Sequence, residues 1–252
     1  MDDAPLTVEL ERTGSTQDEL RRLAGEGAAA FSSVRADVQE AGRGRRGRTW
    51  ETRPGAAMLV SLLLRPLRPP EELAALAIVG GIAAARLARS LGVEAELRWP
   101  NDVVVSGRKL AGVLAELIDG PAVLLGVGMN ADAGKDDLPR TDGLPATSLR
   151  LEGASVPPPS ELVRLLVAEL RPLVARFDAD GFAALRADAD GLDALGGRGL
   201  ELALADGTSV AGIGRGFADD GALLLETPAG IVAHRSGLVA RVHGGSLPQS
   251  PA

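Results

Sequence analysis

The chain has no cysteine and no tyrosine, only two histidines, and aromatic residues at 2% of its 252 positions. Without cysteine there can be no disulfides, thiolate metal sites, iron–sulfur clusters or cysteine nucleophiles. Both histidines, His234 and His243, stand near the C-terminus. A Ser-His-Asp hydrolase built on the stretch before them is therefore excluded. With so few aromatics the core has to be made from Leu, Val, Ile and Ala. Long hydrophobic runs are missing too. Stretches such as "AMLVSLLL" (57–64) are too short to cross a bilayer, and "MDDAPLTVEL" has neither the basic nor the apolar region of a signal peptide. The expectation is a soluble, cytoplasmic protein with no membrane partner. A net charge of −7 argues against general affinity for nucleic acid.

The remaining composition, 45% hydrophobic and 24% charged, is that of a globular protein long enough for one sizeable domain and a small one. "LTVELE" alternates as a strand does, and "STQDELRRLA" opens a helix, with Thr16–Glu19 or Ser15–Asp18 as a capping box. Strands follow in "FSSVRADVQ" and "AMLVSLLL", then one long buried helix over 67–92 ending at Gly92. "AELRWPND" runs into a turn, "VVVSGRKLAGVLAEL" reads as a hairpin about Ser106-Gly107, and "AVLLGVGMN" as an interior strand. The stretch 131–145 has no pattern. A helix capped by Ser160 spans 157–177, and a shorter one lies in 181–192. Helices and strands do not alternate strictly, so the class is α+β with a mixed sheet. After Gly196 short alternating strands separated by Asp-Gly and Ala-Gly turns predict a small β-barrel or roll. The predicted division is 1–195, 196–244 and a disordered tail over 245–252.

One stretch departs from the acidic whole. "GRGRRGRTW" (42–50) places Arg43, Arg45, Arg46 and Arg48 among three glycines, between two strands. An RGG-like RNA tract would be long and repetitive, and a P-loop would need GxxxxGK[ST]; neither pattern is met. Glycines allow close backbone approach and arginines offer forks to oxyanions, so the loop reads as a phosphate and carboxylate binder. Trp50 either stacks on a flat ring or fills core, and the scarcity of aromatics favours the ring. Lys109 follows a tight turn, with Gly112 leaving space beside it for a carboxylate or an α-phosphate. Asp102 serves either a metal-bound nucleotide or the turn itself. Trp99 reads as core. "GVGMN" (126–130) either approaches a nucleotide or simply leaves the sheet. Ser15, Thr16 and Gln17 are either a helix cap or the hydroxyl and amide set for a neutral polar head group such as a ureido ring.

Together these elements resemble biotin–protein ligase over about residues 6–243. "GRGRRGRTW" is similar to that family's GRGRxGRxW, "RWPND" (98–102) to its KWPND, "GRKLAGVLAE" (107–116) to its GRKxxGIL segment, and "STQ" to its Ser-Thr-Asn/Gln start. The resemblance implies a catalytic α+β domain followed by an SH3-like domain. It implies activation of biotin by ATP with Mg²⁺, then transfer to a lysine of the biotin carboxyl carrier domain of a carboxylase, by a monomer or homodimer. Residue by residue, Ser15, Thr16, Gln17 and Gln39 would hold the biotin head. Arg43, Gly44, Arg45, Lys109 and Gly112 would surround the carboxylate and phosphates, with Lys109, Arg43 and Arg45 catalytic. Arg48, Trp50, Asn101, Asp102 and Asn130 would join Arg43, Arg45 and Lys109 around ATP, Asp102 being the one potential metal ligand. Arg98 replaces the family's lysine, and Arg differs from Lys in reach and hydration. The family's bifunctional members carry a DNA-binding helix-turn-helix in front; the chain leaves no room for one, so no repressor function and no specific DNA are expected. The alternatives are a lipoate–protein ligase-like enzyme and a non-catalytic nucleotide- or RNA-binding module.

Overall fold

The computed structural model describes residues 4–50, 52–118, 122–138 and 143–244. The predicted tail, and 139–142 of the patternless stretch, lie outside the described residues. Seven strands form one mixed sheet: β1 (Thr7–Thr13), β2 (Ser33–Gln39), β3 (Ala57–Leu64), β4 (Glu96–Arg98), β5 (Asp102–Val105), β6 (Arg108–Ile118) and β7 (Ala122–Asn130), in the order β1-β2-β3-β7-β6-β5-β4. Among the described strands of this sheet β1 and β2 run parallel, joined by helix α1 (Thr16–Gly25) as their crossover, and the other strand pairs are antiparallel. The mixed α+β class is as the element order predicts.

Strand alternation gives the sheet two different faces. Met58, Val60, Leu62, Val113, Leu125, Val127 and Met129 point to one face, where α2 (Leu76–Ser90) and α3 (Pro159–Asp180) cover them. The other face is shared. Leu63 and Leu124 pack under α1, and the rest is left to a cavity. Helix α2 lies very close to the sheet. A Cβ on Gly80 would stand 2.9 Å from Val113 Cγ1, and one on Gly81 2.8 Å from Leu97 Cδ2.

Several local expectations are corrected. The helix predicted over 67–92 is a 3₁₀ turn, Pro70–Ala75, followed by α2. Pro69 is the extended N-cap and Pro70 opens the turn, where its missing N–H costs no intrahelical bond. By length and composition Pro70–Ser90 could cross a membrane, with a hydropathy of 1.5 over its best window, contrary to the sequence expectation. Here 72% of that window is buried, as in a core helix. No capping box forms at α1. Ser15 makes no side-chain cap bond, Thr16 bonds elsewhere, and Glu19 accepts from Thr13 Oγ1 at 3.3 Å. Ser160 does not cap α3 either, because the helix starts at Pro159 with Pro158 as its N-cap, two residues earlier. The hairpin at Ser106-Gly107 is as predicted, both residues having positive φ.

A short helix, α4 (Arg186–Asp190), leads to the second sheet: β8 (Gly199–Ala203), β9 (Ser209–Phe217), β10 (Leu223–Thr227), β11 (Gly230–His234) and β12 (Leu238–His243). Its order is β11-β10-β9-β8-β12, all antiparallel, and β11 and β12 do not pair with each other, so the ladder is not closed. Leu200, Phe217, Leu223, Leu225 and Val239 belong to the same buried cluster as α2 and α3. Trp99, predicted as core, is buried there and its Nε1–H donates to the Gly221 carbonyl at 3.2 Å.

Asp193 sits at the joint between the two sheets. Its Oδ1 accepts the Leu195 N–H at 2.9 Å, while Oδ2 is buried without a partner. Burial raises its pKa from 3.8 to about 6, with the charges of Asp190 and Glu96 adding to the effect. A raised folded-state pKa means that the native protein binds this proton more tightly than the unfolded chain does. Its stabilising contribution is therefore present at low pH and lost as pH rises from 3.8 to about 6. Asp193→Asn, which stays neutral, should stabilise the fold by about 1–2 kcal/mol at pH 7 and by little at pH 4. Melting temperatures of both proteins across that range check this; a variant equal to or below the parent at pH 7 would contradict it.

Candidate functional site

The part of the α1 face that the helix leaves uncovered lines a cavity of about 990 Å³. Every site residue proposed from sequence borders it: Ser15, Thr16, Gln17, Gln39, Arg43, Gly44, Arg45, Arg48, Trp50, Asn101, Asp102, Lys109, Gly112 and Asn130. Residues 237–240, at the start of β12, close part of its wall.

Strand register sets the floor in two rows. Ser61, Gly126 and Leu114 are partners across β3, β7 and β6, and one step along stand Leu59, Gly128, Gly112 and Asp102. The first row meets neutral polar groups. The Thr16 N–H and hydroxyl both reach Gln39 Oε1, at 2.8 and 2.9 Å, and the same hydroxyl lies 2.8 Å from Ser61 Oγ. Gln39 Oε1 can only accept, so the Thr16 proton goes to it and Ser61 donates to Thr16. Gln17 Nε2 donates to the carbonyls of Leu114 and Leu124 at 3.1 and 3.3 Å. Gly126 makes room for that amide: a Cβ there would stand 2.9 Å from Gln17 Nε2.

The second row carries the charge. The Lys109 ammonium pairs with Asp102 at 2.7 Å and lies 5.4 Å from the Trp50 ring centroid. Lys109 and Gly112, three apart, would face opposite sides of a regular strand. The register shifts between Val103 and Val104, which pair with Ala111 and Lys109, so Leu110 is the extra residue of a bulge. Leu110 and Ala111 both enter the core, and Lys109 and Gly112 both reach the cavity. Bonds to Pro145 and Thr147 fix the Lys109 backbone.

Trp50 lies over this row. A Cβ on Gly128 would stand 2.6 Å from its Cε2, and one on Gly112 3.1 Å from its Cζ3. It is half-buried and its Nε1–H has no partner. The loop before it is closed at its neck by Gly44 N–H to the Arg48 carbonyl (2.7 Å) and Trp50 N–H to the Gly42 carbonyl (2.9 Å). Arg46 turns the loop with φ 58°. Arg45 reaches Asn101 Oδ1 at 3.3 Å. Burial holds its guanidinium below its ordinary pKa, and the charge of Arg46 adds to this while that of Asp102 opposes it. Asn101 and Asn130 use their amide N–H groups on the Val113 and Thr147 carbonyls, which holds both side chains at the cavity edge. Arg98, half-buried, donates to the Val239 carbonyl at 2.9 Å and so ties the RWPND turn to the second sheet.

Sequence reasoning missed Ser61, Gly128 as the seat of Trp50, and the acids Asp18 and Glu116 beside Arg43. A signal existed for the first two. Ser61 is the one hydroxyl in an otherwise apolar, fully buried strand, and Gly126, Gly128 and Asn130 recur at a spacing of two. Asp102, left open between nucleotide and turn, is the counter-ion of Lys109.

Residues 11–130 match the family described as Biotin/lipoate A/B protein ligase. The chain is 36% identical over 232 residues to the Biotin--[acetyl-CoA-carboxylase] ligase of Paracoccus denitrificans, covering 88% of this chain and 94% of that one. It is 34% identical over 197 residues to the Bifunctional ligase/repressor BirA of Escherichia coli, of which it covers 60%. The biotin protein ligase of Aquifex aeolicus in complex with biotin and ATP superimposes with a TM-score of 0.76 at 25% identity, over 97% of this chain and 99% of that one.

Proposed function

The chain belongs to the Biotin/lipoate A/B protein ligase family, and from that footing we propose that it activates biotin with ATP to biotinyl-5′-AMP and transfers the biotinyl group to a lysine of a biotin carboxyl carrier domain. The observation that carries this reading is the division of one cavity between neutral hydrogen-bonding groups and cations. Its volume, about 990 Å³, stands at the upper end of the roughly 300–1,000 Å³ typical of ligand sites, as a two-substrate site requires.

Thr16, Gln17, Gln39 and Ser61 are a polar set to be matched by N–H and C=O groups, which a ureido ring has and a dithiolane lacks. That favours biotin over lipoate. Ser15 completes this end. The backbone at Arg43 and Gly44, with Arg45, Lys109 and Gly112, surrounds the biotin carboxylate and the α-phosphate. Arg48, Trp50, Asn101, Asp102 and Asn130 take the rest of the nucleotide, Trp50 packing on the adenine. A carboxylate oxygen attacks the α-phosphorus and pyrophosphate leaves; cations placed at that point lower the barrier. The acceptor amine then attacks the acyl carbonyl, loses its proton, and AMP departs. Among the described residues Asp102 is the only acid lining the cavity, and no three potential metal ligands cluster. Mg²⁺ would be carried chiefly by the triphosphate, with Asp102 as the side chain able to hold it, and would neutralise phosphate charge.

We further propose that residues 196–244 are the SH3-like domain of this family, and that the protein acts in the cytoplasm. Specific DNA is not proposed as a partner, given the net charge of −7. The test is ATP–pyrophosphate exchange, followed by counting radiolabelled biotin on an added carrier domain. Exchange should appear with biotin and not with lipoate, and the label should sit on the carrier. Exchange without biotin, or with lipoate alone, would overturn the reading.

A further inference from the structure

Arg43 stands at the neck of the Gly/Arg loop, where it bridges Thr49, and its guanidinium is turned to acids. Nη1 and Nη2 donate to Asp18 Oδ2 and Oδ1, both at 2.8 Å, in a bidentate pair. Nε lies 3.6 Å from Glu116 Oε1, and the other oxygen of Glu116 holds Arg21 Nη2 at 2.8 Å. Arg21, Glu116, Arg43 and Asp18 thus alternate in sign and link α1, β6 and the loop. The hydrogen bond from Arg43 is the chief cause holding the Asp18 carboxyl below its ordinary pKa. Arg45 and Lys109 differ from Arg43. Arg45 is half-buried and bonds the neutral amide of Asn101, and Lys109 pairs with Asp102 inside the cavity.

We propose that Arg43 is a positioning residue, with Asp18 and Glu116 as its anchors. Its side chain fixes the neck of the loop against α1 and β6, and the anions of the ligands are met by the side chains of Arg45 and Lys109. This deepens the reading given above and rests on it for the ligands, but the clamp itself has a test that does not. Trypsin cleaves after arginine, so cutting after Arg46 in the ligand-free protein reports how firmly the neck holds the loop. Asp18→Asn and Arg43→Gln should each speed that cleavage several-fold, and the exchanged pair Arg43→Asp with Asp18→Arg should restore protection. Unchanged cleavage in both single variants would overturn the clamp, whatever the enzyme's activity.

For the ligand side, KM for biotin is read against kcat. Arg43→Asp alone should raise that KM about tenfold and change kcat less, and the exchanged pair should recover most of the loss. A salt link can be rebuilt with its charges exchanged, whereas an acid at 43 can only repel a carboxylate. An exchanged pair that is protected from trypsin yet no better than Arg43→Asp alone would show that the guanidinium meets the ligand. Should the exchanged pair fail to fold, the milder cycle decides. Asp18→Asn with Arg43→Gln together should be no worse than either alone, while tighter biotin binding by Asp18→Asn would overturn the proposal.

Discussion

Lys109→Ala should slow formation of biotinyl-AMP about a hundredfold, the effect of losing roughly 3 kcal/mol of transition-state stabilisation. In the free protein the ammonium is neutralised by Asp102 at 2.7 Å, so its full charge becomes available only when a stronger anion takes over. That occurs as the carboxylate and α-phosphate are brought together. Binding of ATP alone should weaken far less than the rate, and transfer from pre-made biotinyl-AMP should suffer less too, because the two anions are by then joined. Lys109→Arg should not rescue fully. The ammonium is already 3.3 Å from where a Cβ on Gly112 would be, and a planar fork needs more width. The alanine variant also leaves Asp102 as an unpaired negative charge among anions; adding Asp102→Asn to it separates that repulsion from the loss of the lysine. Single-turnover rates for the two half-reactions are the measurement. A folded Lys109→Ala protein that adenylates at the parent rate would remove Lys109 from the mechanism.

Gly128→Ala should weaken ATP binding about ten- to hundredfold. The added methyl would stand 2.6 Å from Trp50 Cε2 and 2.9 Å from its Nε1, distances at which the indole has to move. It has little freedom to do so. Its backbone N–H is bonded to Gly42, and Gly42 is itself pressed against the Trp50 carbonyl, where a Cβ would come within 2.4 Å. Overpacking of this kind costs about 1–3 kcal/mol, and here it falls on the residue proposed to pack on adenine. Biotin binding, which we assign to the row at Ser61 and Gly126, should change by less than about threefold. Calorimetric titrations with each ligand check both halves, and unchanged ATP affinity would dissociate Trp50 from the nucleotide.

Much of this site could be read in the sequence because its residues carry chemistry that the core cannot use. Four arginines among glycines, a lysine after a tight turn and a Ser-Thr-Gln start all border the cavity. Long-range partners were not legible. Thr16 looked like a local cap, yet its hydroxyl is used on Gln39 and Ser61, which lie on two other strands. Nothing local announced that Asp18 would face Arg43, or that Glu116 would join them. The bulge at Leu110 escaped because strict alternation is the default assumption for a strand, and one extra residue reverses the face of everything before it. The helix over 67–92 was legible as apolar but not as broken, since its prolines are compatible with an α-helical first turn as well as with the 3₁₀ turn observed.

The seating of Trp50 on glycine has a consequence for how the protein interacts with light. The chain has two tryptophans and no tyrosine. Trp99 is buried with its N–H bonded to a carbonyl, and one side of it borders the cavity. Trp50 is half-buried at the cavity wall, beside an ammonium group and with its own N–H unbonded. Near-ultraviolet emission thus comes from two indoles that both border the cavity, one buried and hydrogen-bonded, the other unbonded beside a cation. Quenching or a spectral shift on ligand entry therefore needs no added label, and the chain carries its own optical probe where the loop meets the sheet.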